Sequence, residues 1–324
     1  MSRGLFHILV PVAVTAVMAI GVVRPAHGFC RTTTVRAPPD YNPIETGKCF
    51  DEGFPLFWRN ACVGYNIHDP PSRRVSYEEA ANAISIAFTR WTGASCPTEG
   101  TGRSRASIDV RDLGPAACEQ IQYKSGVRNQ NVVLFRDDVW THGPFVLGLT
   151  TVVFNPQTGE IYGADMEINT HDMEPIAFRD PVAGQAYDFL SVMTHEAGHF
   201  LGIGHSDKEG ATMHSSYDRG QTFQRDLSPD DINAICTVYR PDGARSVLDG
   251  KVTQAPGCDP TPRGGFTRQC EEQEVGACGG KATIGVSPAS APRPWGSWYG
   301  YAGWAGLTGA LLVLLRRVRR RQID

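Results

Sequence analysis

The segment His195-Glu196-Ala197-Gly198-His199-Phe200-Leu201-Gly202-Ile203-Gly204-His205 gathers three imidazoles and a carboxylate within one short stretch. His195 and His199 are four apart, so on a helix they share a face and can bind one ion. Glu196 stands beside them, placed to hydrogen-bond a water on that ion rather than the ion itself. Gly202 suits the left-handed turn that ends a helix, after which the chain can double back and deliver His205 as a third ligand. Three neutral imidazoles leave a fourth position open to water, the layout of a catalytic zinc site. Zinc brings the pKa of such a water to about 7. On this chain's own residue frequencies, chance would produce the fixed His, Glu, His, Gly and His positions on the order of 10⁻⁵ to 10⁻⁴ times per chain. A surface helix that merely happens to carry histidines is therefore a poor explanation.

Such a site needs a helix to carry it and a scaffold to hold that helix. Residues 187–201 read as the carrying helix. Ser76-Tyr77-Glu78-Glu79 is a capping box, and Ala80, Ala83, Ile84, Ala87, Phe88 and Trp91 recur at helical spacing. Ser228 as N-cap and Pro229 at the first helical position open a third helix, with Ile232, Ile235, Val238 and Tyr239 on its apolar face. Leu56-Phe57-Trp58 and residues 63–67 suggest a first hairpin or strand, and residues 107–110 and 131–135 read as strands. Residues 149–154 and 160–168 flank the turn Asn155-Pro156-Gln157-Thr158-Gly159 and make a hairpin. The order predicts an α+β domain over residues 55–240. Residues 29–54 read as an irregular lead-in, and residues 241–294 as a Pro/Gly-rich linker with three cysteines.

The histidine segment fits H-E-x-x-H-x-x-G-x-x-H at every fixed position, and so resembles the metzincin metallopeptidases and, within them, the matrixins. Ser206 directly follows the third histidine, as in matrixins. Met213, in Ala211-Thr212-Met213-His214, falls where the family's Met-turn falls, as an apolar floor beneath the metal and not a ligand. Tyr217 matches the tyrosine of the wall beside the primed-side specificity pocket. Ser191, one helical turn before His195, matches the residue that sets that pocket's depth, and its small size suggests room for a medium or large apolar side chain. The resemblance implies a zincin-like catalytic domain with a mixed twisted sheet, an active-site helix and a C-terminal helix. It places the strand over 159–169 along the substrate. It implies a zinc endopeptidase acting on protein or peptide substrates, with His195, His199 and His205 on the metal and Glu196 as general base.

Some positions depart from the family's pattern. His214 stands where a tyrosine is usual and is read as a surface or pocket-lining histidine. Only His142 and His171 lie between 140 and 175, so the second, structural zinc of animal matrixins is not expected. Asp165 and Glu167 could contribute to a calcium site, but a solvated strand edge or a salt bridge is the favoured reading. No Pro-Arg-Cys-Gly sequence lies upstream, so latency through a metal-bound cysteine is not expected. The rival from another class is a surface-displayed binding protein whose zinc is only structural. Glu196 and the lack of a fourth protein ligand argue against it.

Both ends read as addresses. Residues 1–28 look like a secretory signal, with Arg3, an apolar stretch over 5–23, and Ala26-His27-Gly28 before a cut at Phe29; a retained anchor is the alternative. Residues 298–315 are uncharged and apolar, about long enough to span a bilayer. Trp295, Trp298, Tyr299, Tyr301 and Trp304 crowd their outer end, and five arginines follow from Arg316 to Arg321. With the spacer before it, the segment 295–324 resembles the C-terminal sorting tails of bacterial surface proteins; a permanent single-span anchor is the alternative. Either would attach residues 29–294 to the membrane or cell surface, outside the cytoplasm. Between the two ends stand 24 basic and 33 acidic residues, which argues against a nucleic-acid partner. A monomer is expected. Nine cysteines suit an oxidising compartment, and the odd number leaves one over. Connectivity does not follow from spacing; Cys96–Cys118 and Cys49–Cys62 are the pairs expected, with Cys278 left over.

Overall fold

The computed structural model describes residues 28–38, 41–97, 103–143, 146–171, 176–247, 252–254, 256–271 and 284–286. The apolar leader, the tail over 295–324 and Cys278 lie outside the described residues. The chain divides into two compact units, Met1–Ala291 and Pro292–Asp324, and every element described belongs to the first. Among the described residues no helix is long and apolar enough to cross a membrane.

In chain order, the helical turn α1 (Pro43–Thr46) precedes β1 (Cys62–His68) and α2 (Tyr77–Thr92). The short antiparallel pair β2 (Ser95–Pro97) and β3 (Arg103–Arg105) leads to β4 (Asp109–Ala116), β5 (Val132–Arg136), β6 (Gly148–Phe154) and β7 (Ile161–Asn169). Then come β8 (Ile176–Ala177), β9 (Tyr187–Asp188), α3 (Phe189–Phe200), α4 (Pro229–Val238), β10 (Ala244–Ser246), β11 (Val252–Gln254) and β12 (Ile284–Val286). Six strands form one mixed sheet in the order β12-β6-β7-β5-β1-β4. β4, β1, β5 and β7 run parallel, while β6 is antiparallel to β7. This is the expected α+β architecture of mixed sheet and few helices.

The hairpin over 149–168 forms as expected, but its arms are the other way round from the substrate-lining assignment. β7 pairs with β5 through Val133 opposite Met166, so it is an inner strand, and β6 lies towards the sheet's margin. Leu56-Phe57-Trp58 does not pair with β1; Phe57 instead bridges to Glu160.

Two helices bring their apolar faces together over the sheet. Ser76 and Glu79 cap each other reciprocally at the start of α2, and Ala80, Ile84, Ala87, Phe88 and Trp91 are its buried residues. Burying a Phe- or Ile-sized side chain stabilises by about 1.5–3 kcal/mol. α3 is buried on every side except at Leu190, as a core helix must be. It starts at Phe189, with Asp188 as its N-cap, rather than at Tyr187. Three aromatic polar edges then fix its backbone. Trp91 Nε1 donates to Thr194 O (2.7 Å), Trp58 Nε1 to Phe200 O (2.7 Å) and Tyr239 OH to Leu201 O (2.8 Å). The last two satisfy carbonyls that a helix end leaves without partners.

The cystines correct both expected pairs. They are Cys30–Cys49, Cys62–Cys258, Cys96–Cys236 and Cys118–Cys270. Cys96 leaves α2 on β2, which packs against α4 and so meets Cys236, not Cys118. Three of the four bridges join residues at least 140 apart, which local spacing could not reveal. The stretch after 240 is likewise more than linker. Arg245 is wholly buried and donates to Trp58 O, Asn60 O and Ser107 O, each at 3.0 Å. Thr267 N donates to Asn129 O, and two cystines fasten the 256–271 stretch to the body.

Candidate active site

α3 places His195 and His199 one turn apart, and the chain then leaves the helix through Gly202. This residue has φ +83°, and a Cβ there would meet Leu56 O at 2.7 Å. Handedness and close approach both demand glycine. The turn returns His205 to the other two rings, with ring centroids 4.8–5.2 Å apart. One ligand nitrogen from each histidine lies within 4.8 Å of the others. The sequence-predicted triad is thus assembled.

The remaining nitrogens explain how the rings are aimed. His195 Nδ1 donates to Thr212 O at 2.7 Å, and His199 Nδ1 donates to Ile203 O at 2.8 Å. Each bond selects the tautomer whose Nε2 lone pair points inward. Burial pushes His195 down to about 4 and holds His199 and His205 well below the ordinary imidazole range, so all three are neutral. His199 Nε2 and His205 Nε2 stand 3.2 Å apart, while buried His195 Nε2 has no protein partner. Converging neutral nitrogens with an orphan among them fit a divalent metal of zinc's ligand preference. Among the described residues no other group of His, Cys, Asp and Glu is arranged to hold an ion.

Glu196, next to His195 on α3, is fully buried. Thr150 Oγ1 donates to its Oε2 at 2.6 Å, and Oε1 has no protein partner. Burial pushes the carboxyl up to about 8, against the opposing pull of the Thr150 bond. Gly148 makes room for it, since a Cβ there would lie 2.9 Å from Glu196 Oε1. Neither Thr150 nor Gly148 was indicated by the motif; both come from β6, far away in sequence.

Met213 is buried, and Thr212 just before it accepts from His195 Nδ1. Gly198 lets it approach, because a Cβ there would sit 2.3 Å from Met213 Sδ. Asp231 of α4 holds the turn by accepting from Thr212 N (2.8 Å) and Met213 N (3.0 Å). Its neighbour Asp230 accepts from Ser206 Oγ at 2.6 Å. These two acids are positioning residues that the sequence marked only as the start of a helix.

Ser191 and Tyr217 also come together, at the start of α3. Ser191 is fully buried and donates its hydroxyl to Asp188 Oδ2 at 2.7 Å. Tyr217 OH accepts from Asp188 N (3.3 Å) and donates to Gln221 O (2.6 Å). Arg225 closes the cluster with two 2.7 Å bonds to Asp188 and a third to Asp180. Ser191 is thus bonded to one member of an ion pair, Asp188 with Arg225. His214 is half-buried, and its Nδ1 accepts from Ser216 N at 3.3 Å. The residues suggested for calcium are engaged by protein groups. Asp165 accepts from Val132 N and Gln122 N, and Glu167 pairs with Arg136 and His142.

Comparison with known proteins agrees with this geometry. A family model described as Matrixin (Peptidase_M10) matches residues 124–240. Metalloendoproteinase 1-MMP of Arabidopsis thaliana is 36% identical over 98 residues, 30% of this chain and 25% of the relative. Matrix metalloproteinase-C of Caenorhabditis elegans is 28% identical over 200 residues, 58% of this chain and 30% of the relative. Neutrophil collagenase of Homo sapiens is 26% identical over 206 residues, 63% of this chain and 38% of the relative. The chain thus spans between a quarter and two fifths of the length of these relatives. The match to the matrixins over residues 124–240, the histidine cluster and the mixed sheet are consistent with a metzincin α+β fold.

Proposed function

We propose that this chain is a zinc-dependent endopeptidase, with His195, His199 and His205 holding the ion and Glu196 as general base. The observation that carries the reading is the buried, partner-free Glu196 Oε1 beside three converging imidazoles. When bound, zinc supplies Lewis acidity towards a carbonyl and a water. Glu196 takes a proton from the attacking water and returns it to the leaving amine. Thr150 holds one carboxylate oxygen so that the other faces the reacting atoms. Tyr217 and Ser191 would shape the pocket for the residue after the cut, over a floor set by Asp188 and Arg225. An extended substrate would align along β6 by β-augmentation.

We further read the protein as exported and held at the cell surface by its C-terminal segment. Four cystines support the export half of this reading. The reaction is tested by measuring peptide cleavage and bound zinc together, before and after a chelator. One zinc per chain, loss of cleavage on stripping and recovery with zinc are expected. A chain that cleaves equally well without metal would refute the reading.

A further inference from the structure

β6 borders the candidate active site, and part of the chain's own C-terminal stretch lies on it. β12 runs antiparallel to β6, with Ile284 opposite Val152, Gly285 opposite Thr151 and Val286 opposite Thr150. Thr150 is the residue that holds Glu196. Gly148, two positions earlier on the same strand, gives that carboxylate its space. In the sheet order β12 is the outermost strand, so β6 would be the sheet's margin without it. A bare strand margin offers a row of backbone N–H and C=O groups to any extended peptide. A substrate aligned there would need the row that β12 takes.

We propose that residues 284–286 are a resident competitor for the substrate-aligning margin of β6, a strap that substrate must displace. This rests on the peptidase reading given above. A free segment of three residues would bind a strand margin weakly. Here the segment is tethered. Cys270 is fastened to Cys118, and the stretch from Cys270 to Ile284 can span up to roughly 45 Å when extended. Short tethers give effective concentrations of about millimolar, enough for weak pairing to be populated yet still yield to substrate. If the open form is only a fraction of the population, the apparent substrate affinity falls by that fraction. An open fraction of about one tenth to one third raises the apparent KM about 3- to 10-fold and leaves kcat alone.

The test compares the full chain with its Ile284→Pro/Gly285→Pro variant. Successive strand N–H groups point to opposite sides, so two adjacent prolines remove whichever one faces β6. Hydrogen exchange should show faster exchange in the β6 amides over 150–152 and no change in β5 or β7. Cleavage of a quenched peptide should show KM falling about 3- to 10-fold with kcat within about twofold. Unchanged β6 exchange would overturn the docking. Faster exchange with unchanged KM would overturn the competition. If neither chain cleaves any peptide, the peptidase reading fails, and the exchange result alone then confirms or overturns the strap.

Discussion

Thr150 shows how much of this site depends on residues outside the motif. Among the described residues its hydroxyl is the one group bonded to the Glu196 carboxylate, at 2.6 Å. A hydrogen bond to a charged group is worth about 1.5–3 kcal/mol, so Thr150→Val should lower kcat by about 10-fold or more. KM and zinc content should stay within about twofold of the parent, and Thr150→Ser should restore most of kcat. Equal losses in the Val and Ser variants would mean that packing, not the hydroxyl, matters. The ligand set itself was legible from sequence, because helical spacing dictates which histidines share a face. The oriented rings were not. Thr212 O and Ile203 O are backbone atoms, and no residue type announces them. Asp231 was visible as a helix start but not as the clamp on the Met-turn, since one carboxylate does both. The neighbours of Ser191 were hidden for a similar reason. A small side chain does not announce what it bonds, here Asp188, which Arg225 also holds.

At the scale of elements, caps and periodicities were read well, and strand order was not. The capping box at Ser76 and the N-cap at Ser228 stand where the sequence put them. Alternation along the 149–168 hairpin could not say which arm joins β5, because both arms are mostly buried. One consequence of the actual order is a buried carboxylate between β7 and β5. Asp165 accepts from Val132 N and Gln122 N, yet burial raises it to about 7, with Glu167 adding to the rise. An unfolded Asp titrates near about 4. Between those values the native state holds more protons than the unfolded state, so this group's contribution to stability falls as pH rises from about 4 to about 7. Melting temperature measured from pH 5 to 8 should therefore fall less steeply in Asp165→Asn than in the parent. Parallel curves would show that Asp165 is already ionised in the native state.

For the whole molecule, composition misled. Residues 241–294 are rich in proline and glycine, which describes the backbone but says nothing about what fastens it. Arg245 and the cystines at Cys258 and Cys270 make the stretch to 271 part of the domain. Arg245 is wholly buried, and burial lowers its pKa, so its backbone acceptors, Trp58 O, Asn60 O and Ser107 O among them, are what keep it tolerable inside. Arg245→Met should destabilise by about 3 kcal/mol, as an emptied polar niche does. Ending the chain after Arg240 should lower the melting temperature more, by about 10 °C or beyond. It removes the same anchor and two long-range bridges, each worth about 2–4 kcal/mol. Calorimetry of both variants beside the parent checks this, and an unchanged melting temperature in the shortened chain would return the segment to the status of a linker.

The most direct measurement is cleavage of a quenched-peptide library by the full chain and by its Glu196→Ala variant, at matched zinc content. The parent should cleave, and the variant should be slower by about 10²–10⁴-fold while keeping its zinc and its melting temperature. A variant that cleaves as fast as the parent would remove Glu196 from the chemistry. Zinc bound by both with cleavage by neither would make the site structural.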